Sequence, residues 1–318
     1  MNWKDYPYDF ELGNIKREIK ERDAKIVGLQ LPDGLRTVAT SIAAEISDTT
    51  GVAVIISGNS CYGACDIDEK LEREVDLLFH FGHTCSFPFK PQVVFIELRS
   101  SVDLKPVVEM AVAAIKGDSV GLVTTVQHVH AMKEAKSLLT RRGKAVIIGK
   151  SPALKYEGQV LGCDFSSAMV PCDEILFLGS GTFHAAGIAL YTGKRVIAAD
   201  PFSMQINILE AEEQRKRRYL AIARALDAKS FGVLVSTKSG QSHLSEAVSL
   251  QRKALEKGLT AFVIAMDELT ELNLHGFKVD AFVNTACPRL ADDFDQFKVL
   301  SVKEFEVVLG ERGWDDIF

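Results

Sequence analysis

Three of the six cysteines, Cys61, Cys163 and Cys287, stand in glycine-, polar- or proline-marked turns, one in each third of the 318-residue chain. Cys61 lies in Gly58-Asn59-Ser60-Cys61-Tyr62-Gly63-Ala64-Cys65, Cys163 in Gly158-Gln159-Val160-Leu161-Gly162-Cys163, and Cys287 in Asn284-Thr285-Ala286-Cys287-Pro288-Arg289. Each turn lies beyond an apolar, β-branched run, where a βα fold leaves a strand and begins a helix. Roughly a hundred residues separate successive members, so no local zinc-type spacing joins them. Thiolates brought together from such distant turns can hold an iron–sulfur cluster by three irons and leave the fourth open to a substrate.

The remaining cysteines divide by context. Cys65 fits the first gap of the Cys-x3-Cys-x2-Cys motif of conventional radical S-adenosylmethionine enzymes, but Asp68 holds the third position. One loop therefore cannot supply three thiolates, and that class is disfavoured. Cys65 is expected to pack as a small hydrophobe. Cys172, directly before an apolar run, is expected to pack likewise, whereas Cys85 in His83-Thr84-Cys85-Ser86 is the rival for a ligand role.

Gly179-Ser180-Gly181-Thr182-Phe183-His184 follows the apolar run Glu174–Leu178 and opens a helical stretch. Small residues there admit a ligand to the backbone, and the N–H groups at a helix start favour a carboxylate or phosphate. The dinucleotide fingerprint would need a glycine where His184 stands. His128 and His130 are two apart and so lie on different faces of a helix, while His80 and His83 flank a strand end. No His-Glu-x2-His run and no Gly-x4-Gly-Lys-Ser/Thr loop occurs, which leaves a zinc hydrolase or a P-loop ATPase without support. Asp33, His83, Gly179, Ser180, Gly181 and Gln241 are the polar or small residues expected to line a substrate cavity.

The elements that must position these residues recur three times. Apolar runs at Lys25–Leu31, Val52–Ser57, Asp76–Phe81 and Gln92–Leu98 predict four strands, with a helix over Leu35–Ile46. A second round comprises Ser119–Thr125, Ala145–Gly149, Glu174–Leu178 and Lys194–Ala199, with a helix near His128–Thr140. A third comprises Phe231–Ser236, Thr260–Met266, Asp280–Asn284 and Lys298–Ser301, with a helix near His243–Lys257. Strand–helix alternation at this spacing predicts an α/β fold of parallel βαβ units. The boundaries expected are 1–102, 103–208 and 209–318, each domain with a small, mostly parallel four-stranded sheet. Ligands of open α/β sheets bind beyond the carboxyl ends of strands, so three such ends around a pseudo-threefold central cavity would unite the cysteines.

Composition narrows the classes further. With 47% hydrophobic and 25% charged residues the chain reads as a globular enzyme with a substantial core. A net charge of -6 argues against direct nucleic-acid binding. The basic run Arg215-Lys216-Arg217-Arg218 follows Glu212-Glu213 and reads as a solvated helix face. No apolar run suits a bilayer, and the polar N-terminus lacks a secretory pattern, so a cytoplasmic location is expected.

The strings Leu31-Pro32-Asp33-Gly34, Asn59-Ser60-Cys61-Tyr62-Gly63-Ala64-Cys65-Asp66, Tyr156-Glu157-Gly158-Gln159-Val160-Leu161-Gly162-Cys163, Gly179-Ser180-Gly181-Thr182-Phe183-His184 and Asn284-Thr285-Ala286-Cys287-Pro288-Arg289 resemble the diphthamide-biosynthesis enzymes, the 2-(3-amino-3-carboxypropyl)histidine synthases. The resemblance runs over nearly the whole chain. It implies three Rossmann-like domains, with Cys61, Cys163 and Cys287 as ligands of one [4Fe–4S] cluster. It also implies transfer of the 3-amino-3-carboxypropyl group of S-adenosylmethionine to imidazole C2 of a histidine in elongation factor 2, by a radical route that releases methylthioadenosine. The compact length resembles the archaeal form, which works as a homodimer. No second cluster motif or flavin fingerprint is seen, so an external electron donor is expected. Two other classes stay open on the residues alone: a quinolinate-synthase-like cluster dehydratase and a non-catalytic binding scaffold.

Overall fold

The computed structural model describes residues 2–84, 90–288, 294 and 296–318. Cys85 and Arg289, named above, lie outside the described residues. Two compact units are formed, one from Met1–Thr182 with Val196–Ile208, the other from Phe183–Arg195 with Leu209–Phe318. Among the described residues, thirteen strands make three sheets.

The first unit holds two of them. In the first sheet, β1 (Ile26–Gln30), β2 (Ala53–Ile56), β3 (Leu77–Phe81) and β4 (Val93–Ile96) run in the order β2-β1-β3-β4, every pairing parallel. The second comprises β5 (Ser119–Thr124), β6 (Ala145–Ile147), β7 (Glu174–Leu178), β8 (Val196–Asp200) and β9 (Gln205–Leu209), in the order β6-β5-β7-β8-β9. The second unit carries β10 (Ser230–Ser236), β11 (Thr260–Met266), β12 (Ala281–Asn284) and β13 (Val299–Ser301), in the order β11-β10-β12-β13, again parallel. The α/β class, the three sheets and every predicted strand are thus observed.

β3 and β7 are buried at every position, as parallel strands covered on both faces must be. Against the first sheet, the helix Arg36–Thr50 buries Val38, Ala39, Ile42 and Ile46, a helical stripe, and stops at Gly51, whose φ of 73° suits glycine.

Two expectations need correction. The second sheet has five strands instead of four, because Gln205-Ile206-Asn207-Ile208-Leu209 adds β9 to the edge beside β8. Its alternating polar and apolar residues suit a half-exposed edge strand rather than the continuous apolar runs of its neighbours. The basic run is not wholly solvated either. Arg218 is 13% exposed and grips Glu304, itself 2% exposed, with its Nη2 2.5 Å from Oε2. That carboxylate also completes a capping box with Ser301 on the helix Val302–Val308.

One brace recurs in all three sheets. The aspartate directly before the third strand accepts the two backbone N–H groups that open the first. Asp76 Oδ2 takes Lys25 and Ile26 at 2.7 and 2.9 Å, Asp173 Oδ2 takes Asp118 and Ser119 at 3.0 and 2.9 Å, and Asp280 Oδ2 takes Lys229 and Ser230 at 2.9 and 2.8 Å. Because the strands are parallel, this brace fixes the amino edge of each sheet. The cysteine turns belong to the other edge.

Candidate metal centre

Each candidate cysteine sits beyond the carboxyl edge of its sheet on a turn secured by side-chain hydrogen bonds. Beyond β2, Asp68 accepts Ser57 Oγ at 2.6 Å and Asn59 Nδ2 at 2.9 Å, and Asp66 Oδ2 accepts the Tyr62 amide at 3.1 Å. Burial opposes ionisation of Asp68, but hydrogen bonds from Ser57, Leu71, Asn59 and Lys70 overcome it and hold the carboxyl below its ordinary range. The loop so framed delivers Cys61 to a buried position, 4% exposed.

The Cys163 loop is built differently. Gly158, Gln159 and Val160 run parallel to the end of β5, with Thr124 N–H donating to Gly158 O at 2.8 Å and Val160 N–H to Thr124 O at 2.9 Å. Gly158 needs its positive φ of 68°, and a Cβ there would stand 2.3 Å from Met132 Cε. The chain then reverses between Leu161 and Asp164, leaving Cys163 exposed on the turn. Asp164 fixes the reversal by accepting Ser151 Oγ at 2.7 Å and Ser166 N–H at 2.9 Å.

In the second unit, Asn284 at the end of β12 spans its own turn. Its Oδ1 accepts the Ala286 amide at 2.9 Å and its Nδ2 donates to Cys287 O at 2.8 Å. Cys287 is half-buried against the cluster that includes Leu234 and Phe282. The five described cysteines are all thiols. Soft thiolates on pre-formed turns are the donor set that iron–sulfur clusters take, so the residues present fit such a group.

Around Cys61 the structure joins to the expected His83 a second histidine, His80, that was not among the candidate residues. His80, on β3 and wholly buried, places Nε2 3.8 Å from Cys61 Sγ, and His83 places Nδ1 4.0 Å from it. The two ring nitrogens are 2.9 Å apart. Gln30 fixes the tautomers. Its Nε2 donates to Asp66 O at 2.7 Å and its Oε1 accepts the Asp68 amide at 3.1 Å, so Oε1 must also accept from His80 Nδ1 at 3.0 Å. The Nε2 lone pair of His80 is then left facing Cys61 and His83. Burial, with the neighbouring His83, holds His80 well below its ordinary pKa, and burial lowers His83 to about 4 although the Phe81 backbone opposes this. Both rings are neutral near pH 7. A histidine within an all-buried strand needs polar partners, and that requirement was the signal available in the sequence.

A second missed residue joins two loops within the first unit. Glu97, 6% exposed, accepts Thr84 Oγ1 at 3.1 Å, Lys155 Nζ at 2.7 Å and the Tyr156 hydroxyl at 2.8 and 2.9 Å. Thr84 adjoins His83, while Lys155 and Tyr156 lead into the Cys163 loop. Gln127 Nε2 adds a bond to Gly82 O at 2.7 Å.

Of the predicted cavity residues, His83 stands against Cys61. Asp33 is exposed and pairs with Arg36 at 2.8 Å. Gly179 abuts the Phe177 ring, which a Cβ would meet at 2.7 Å, and Gly181 has a φ of 74°. Ser180 Oγ donates to Asp200 Oδ1 at 3.0 Å, on a turn that precedes the helix Phe183–Thr192. Gln241 is buried in the second unit, at the end of the short 3-10 turn Ser239–Gln241. Cys172 packs as expected at 8% exposure, close to Gly121. Cys65 does not: it is exposed, within the turn closed by Asp66 N–H donating to Gly63 O at 3.0 Å.

Parallel α/β sheets with a braced cysteine turn beyond the carboxyl edge define the class, an α/β protein equipped for metal–thiolate chemistry. The family model described as "Putative diphthamide synthesis protein" matches residues 31–318. A 2-(3-amino-3-carboxypropyl)histidine synthase of Pyrococcus horikoshii is 36% identical over 314 residues, covering 96% of this chain and 92% of that protein. Subunit 1 of the Gallus gallus 2-(3-amino-3-carboxypropyl)histidine synthase is 30% identical, covering 96% and 78%. Among solved structures, Dph2 from Pyrococcus horikoshii with a 4Fe-4S cluster superposes with a TM-score of 0.88 at 36% identity, covering 96% of this chain and 91% of that one. The chain belongs to the diphthamide-synthesis family of enzymes, whose curated members carry the name 2-(3-amino-3-carboxypropyl)histidine synthase. No described helix is long and apolar enough to cross a membrane.

Proposed function

We propose that this chain transfers the 3-amino-3-carboxypropyl group of S-adenosylmethionine to imidazole C2 of a histidine in translation elongation factor 2, the first step of diphthamide biosynthesis. The observation that carries the proposal is the set of three braced thiols, one beyond each sheet, in a chain so close to a relative whose crystal structure is described with a 4Fe-4S cluster. In this reading the segments 1–102, 103–208 and 209–318 each contribute one ligand, Cys61, Cys163 and Cys287, around a shared cavity. When bound, the cluster supplies one electron to the sulfonium and an open iron corner beside it.

The chain's own task is placement. Three carbons are attached to the sulfonium sulfur, and the bond to the aminocarboxypropyl carbon must be the one presented for cleavage. The asparagine and aspartate braces hold each cysteine backbone in position before a ligand arrives. Gly179, Ser180 and Gly181, before a helix start, suit the amino-acid end of the nucleotide; Asp33, His83 and Gln241 complete the proposed wall. The electron comes from an external donor, and the protein works as a homodimer in the cytoplasm.

The test is anaerobic reconstitution of the full chain with iron and sulfide, then incubation with S-adenosylmethionine, reductant and elongation factor 2. Mass analysis of the factor should find one aminocarboxypropyl group on a histidine, with methylthioadenosine in solution. Formation of 5′-deoxyadenosine instead, or unchanged iron content in each of the Cys61→Ser, Cys163→Ser and Cys287→Ser variants, would overturn it.

A further inference from the structure

We propose that, in the cluster-free chain, Cys61, His80 and His83 bind a single divalent transition-metal ion, and that this ion and the cluster exclude one another. The inference rests on the reading above only in its second half, since the exclusion requires Cys61 to be a cluster ligand.

Four features of the first unit carry it. The ligand atoms Sγ, Nε2 and Nδ1 already stand 3.8, 4.0 and 2.9 Å apart. Tetrahedral zinc with bonds of about 2.0–2.1 Å to nitrogen and about 2.3 Å to sulfur wants separations of roughly 3.3–3.6 Å, so each atom moves by about half an ångström or less. The trio gathers one thiol and two imidazoles, a donor set suited to Zn2+, Co2+ and Fe2+.

The second feature is the outer partner. A metal-bound histidine characteristically donates its other ring N–H to a carbonyl or carboxylate, which fixes the tautomer and aims the ligating lone pair. Gln30 does this for His80: Oε1 holds Nδ1–H at 3.0 Å, and the amide cannot flip because Nε2 is committed to Asp66 O.

Burial is the third. Cys61 is 4% exposed and His80 0%, with His83 half-buried, so a chelated ion would be covered on most sides and open at one. The fourth is the turn that returns His83 to the site. Gly82 has a φ of 83° and packs so close to Pro32 that a Cβ would stand 2.8 Å from Pro32 Cγ. Gly82 thus fixes where the chain leaves β3, and His83 comes back across the end of the strand that bears His80.

Binding balances simply. The Cys61 thiol releases one proton to solvent, His80 keeps its Nδ1–H, and His83 exchanges an Nδ1–H for an Nε2–H tautomer. The fourth coordination position goes to water or an added ligand, as in three-ligand zinc sites. Cys163 and Cys287 take no part, which separates this site from the cluster.

Titration of the reduced, metal-free full chain with Co2+ under anaerobic conditions tests the first half. One equivalent should give tetrahedral d–d bands and a sulfur-to-cobalt charge-transfer band. The bands should vanish in Cys61→Ser and His80→Ala, and persist in Cys163→Ser and Cys287→Ser. Gln30→Met, which keeps the fold's volume but removes the outer partner, should weaken Co2+ binding about 10- to 100-fold. Far-ultraviolet circular dichroism of each variant distinguishes loss of the site from loss of the fold. Absence of charge transfer in the wild type, its survival in a folded His80→Ala, or its loss in Cys163→Ser overturns the site.

For the second half, protein preloaded with Zn2+ is subjected to cluster reconstitution. Failure to build the cluster until a chelator removes the zinc is expected. A full cluster formed with zinc retained overturns the exclusion while leaving the site intact. Reconstitution without zinc tests the cluster reading separately.

Discussion

Removing the Glu97 carboxylate should loosen the first unit and, with it, the Cys163 loop. Four groups converge on this buried side chain: Thr84, Arg99, Lys155 and Tyr156. Lys155 and Arg99 are 50% and 47% exposed, so in Glu97→Ala their charges rehydrate and each pair counts for about 1 kcal/mol or less. The buried Thr84 and the half-buried Tyr156 each lose an acceptor, at about 1 kcal/mol apiece. The sum is about 3 kcal/mol, read as a loss of unfolding free energy in urea near pH 7. A double-mutant cycle of Glu97→Ala with Tyr156→Phe should return a coupling of about 1 kcal/mol. The carboxyl also has a pH signature. Burial opposes its ionisation, but hydrogen bonds from Lys155, Tyr156 and Thr84 and the Lys155 charge hold it below its usual 4.5. A carboxyl depressed on folding stabilises the protein above the unfolded value, and that contribution is lost as pH falls through the folded value. The gap between wild type and variant should therefore narrow below pH 4.5. A coupling near zero, or a gap that widens in acid, would refute the assignment.

Gly158→Ala should destabilise by about 1–3 kcal/mol and lower iron incorporation, because the left-handed backbone and the 2.3 Å approach to Met132 both forbid a methyl. Asn284→Ala deletes both bonds that span the Cys287 turn, and reconstituted iron per folded chain should fall while the far-ultraviolet spectrum is kept. His128, buried beside Phe202, is lowered to about 4 by burial and by His130, against Asp200. The unfolded chain therefore takes up a proton first, and stability should drop by about 3 kcal/mol from pH 6.5 to pH 4, a loss absent from His128→Leu in the same urea series. Arg218→Ala leaves the Glu304 carboxylate buried with only its capping contacts and should cost about 3 kcal/mol; a change below about 0.5 kcal/mol in thermal or urea unfolding would contradict the pairing.

The strands were legible because parallel, doubly covered strands are continuous apolar runs, and β3, β7 and β10 are of that kind. The cysteine turns stood out because cysteine amid glycine and proline, just past such a run, has no packing reason to be there. β9 was missed because a half-exposed edge strand carries little apolar signal. Gln30, His80 and Glu97 were missed for a different reason. Each lies within or at the end of an apolar run, and at least one partner of each comes from a segment 36 to 59 positions away, a relation that only folding reveals. Cys65 misled because its sequence context matches that of a buried cysteine, while the fold leaves the turn that carries it exposed.

The recurring aspartate brace carries a consequence for how such a protein can change. Asp76, Asp173 and Asp280 clamp the amino edges, while every candidate ligand stands on a turn past the opposite edges. Folding and chemistry thus answer to different ends of the same strands. Substituting a clamp, as in Asp280→Asn, should lower the melting temperature yet leave the metal stoichiometry of the surviving folded molecules intact. A lineage could then trade thermal tolerance up or down to suit its habitat without disturbing the reaction.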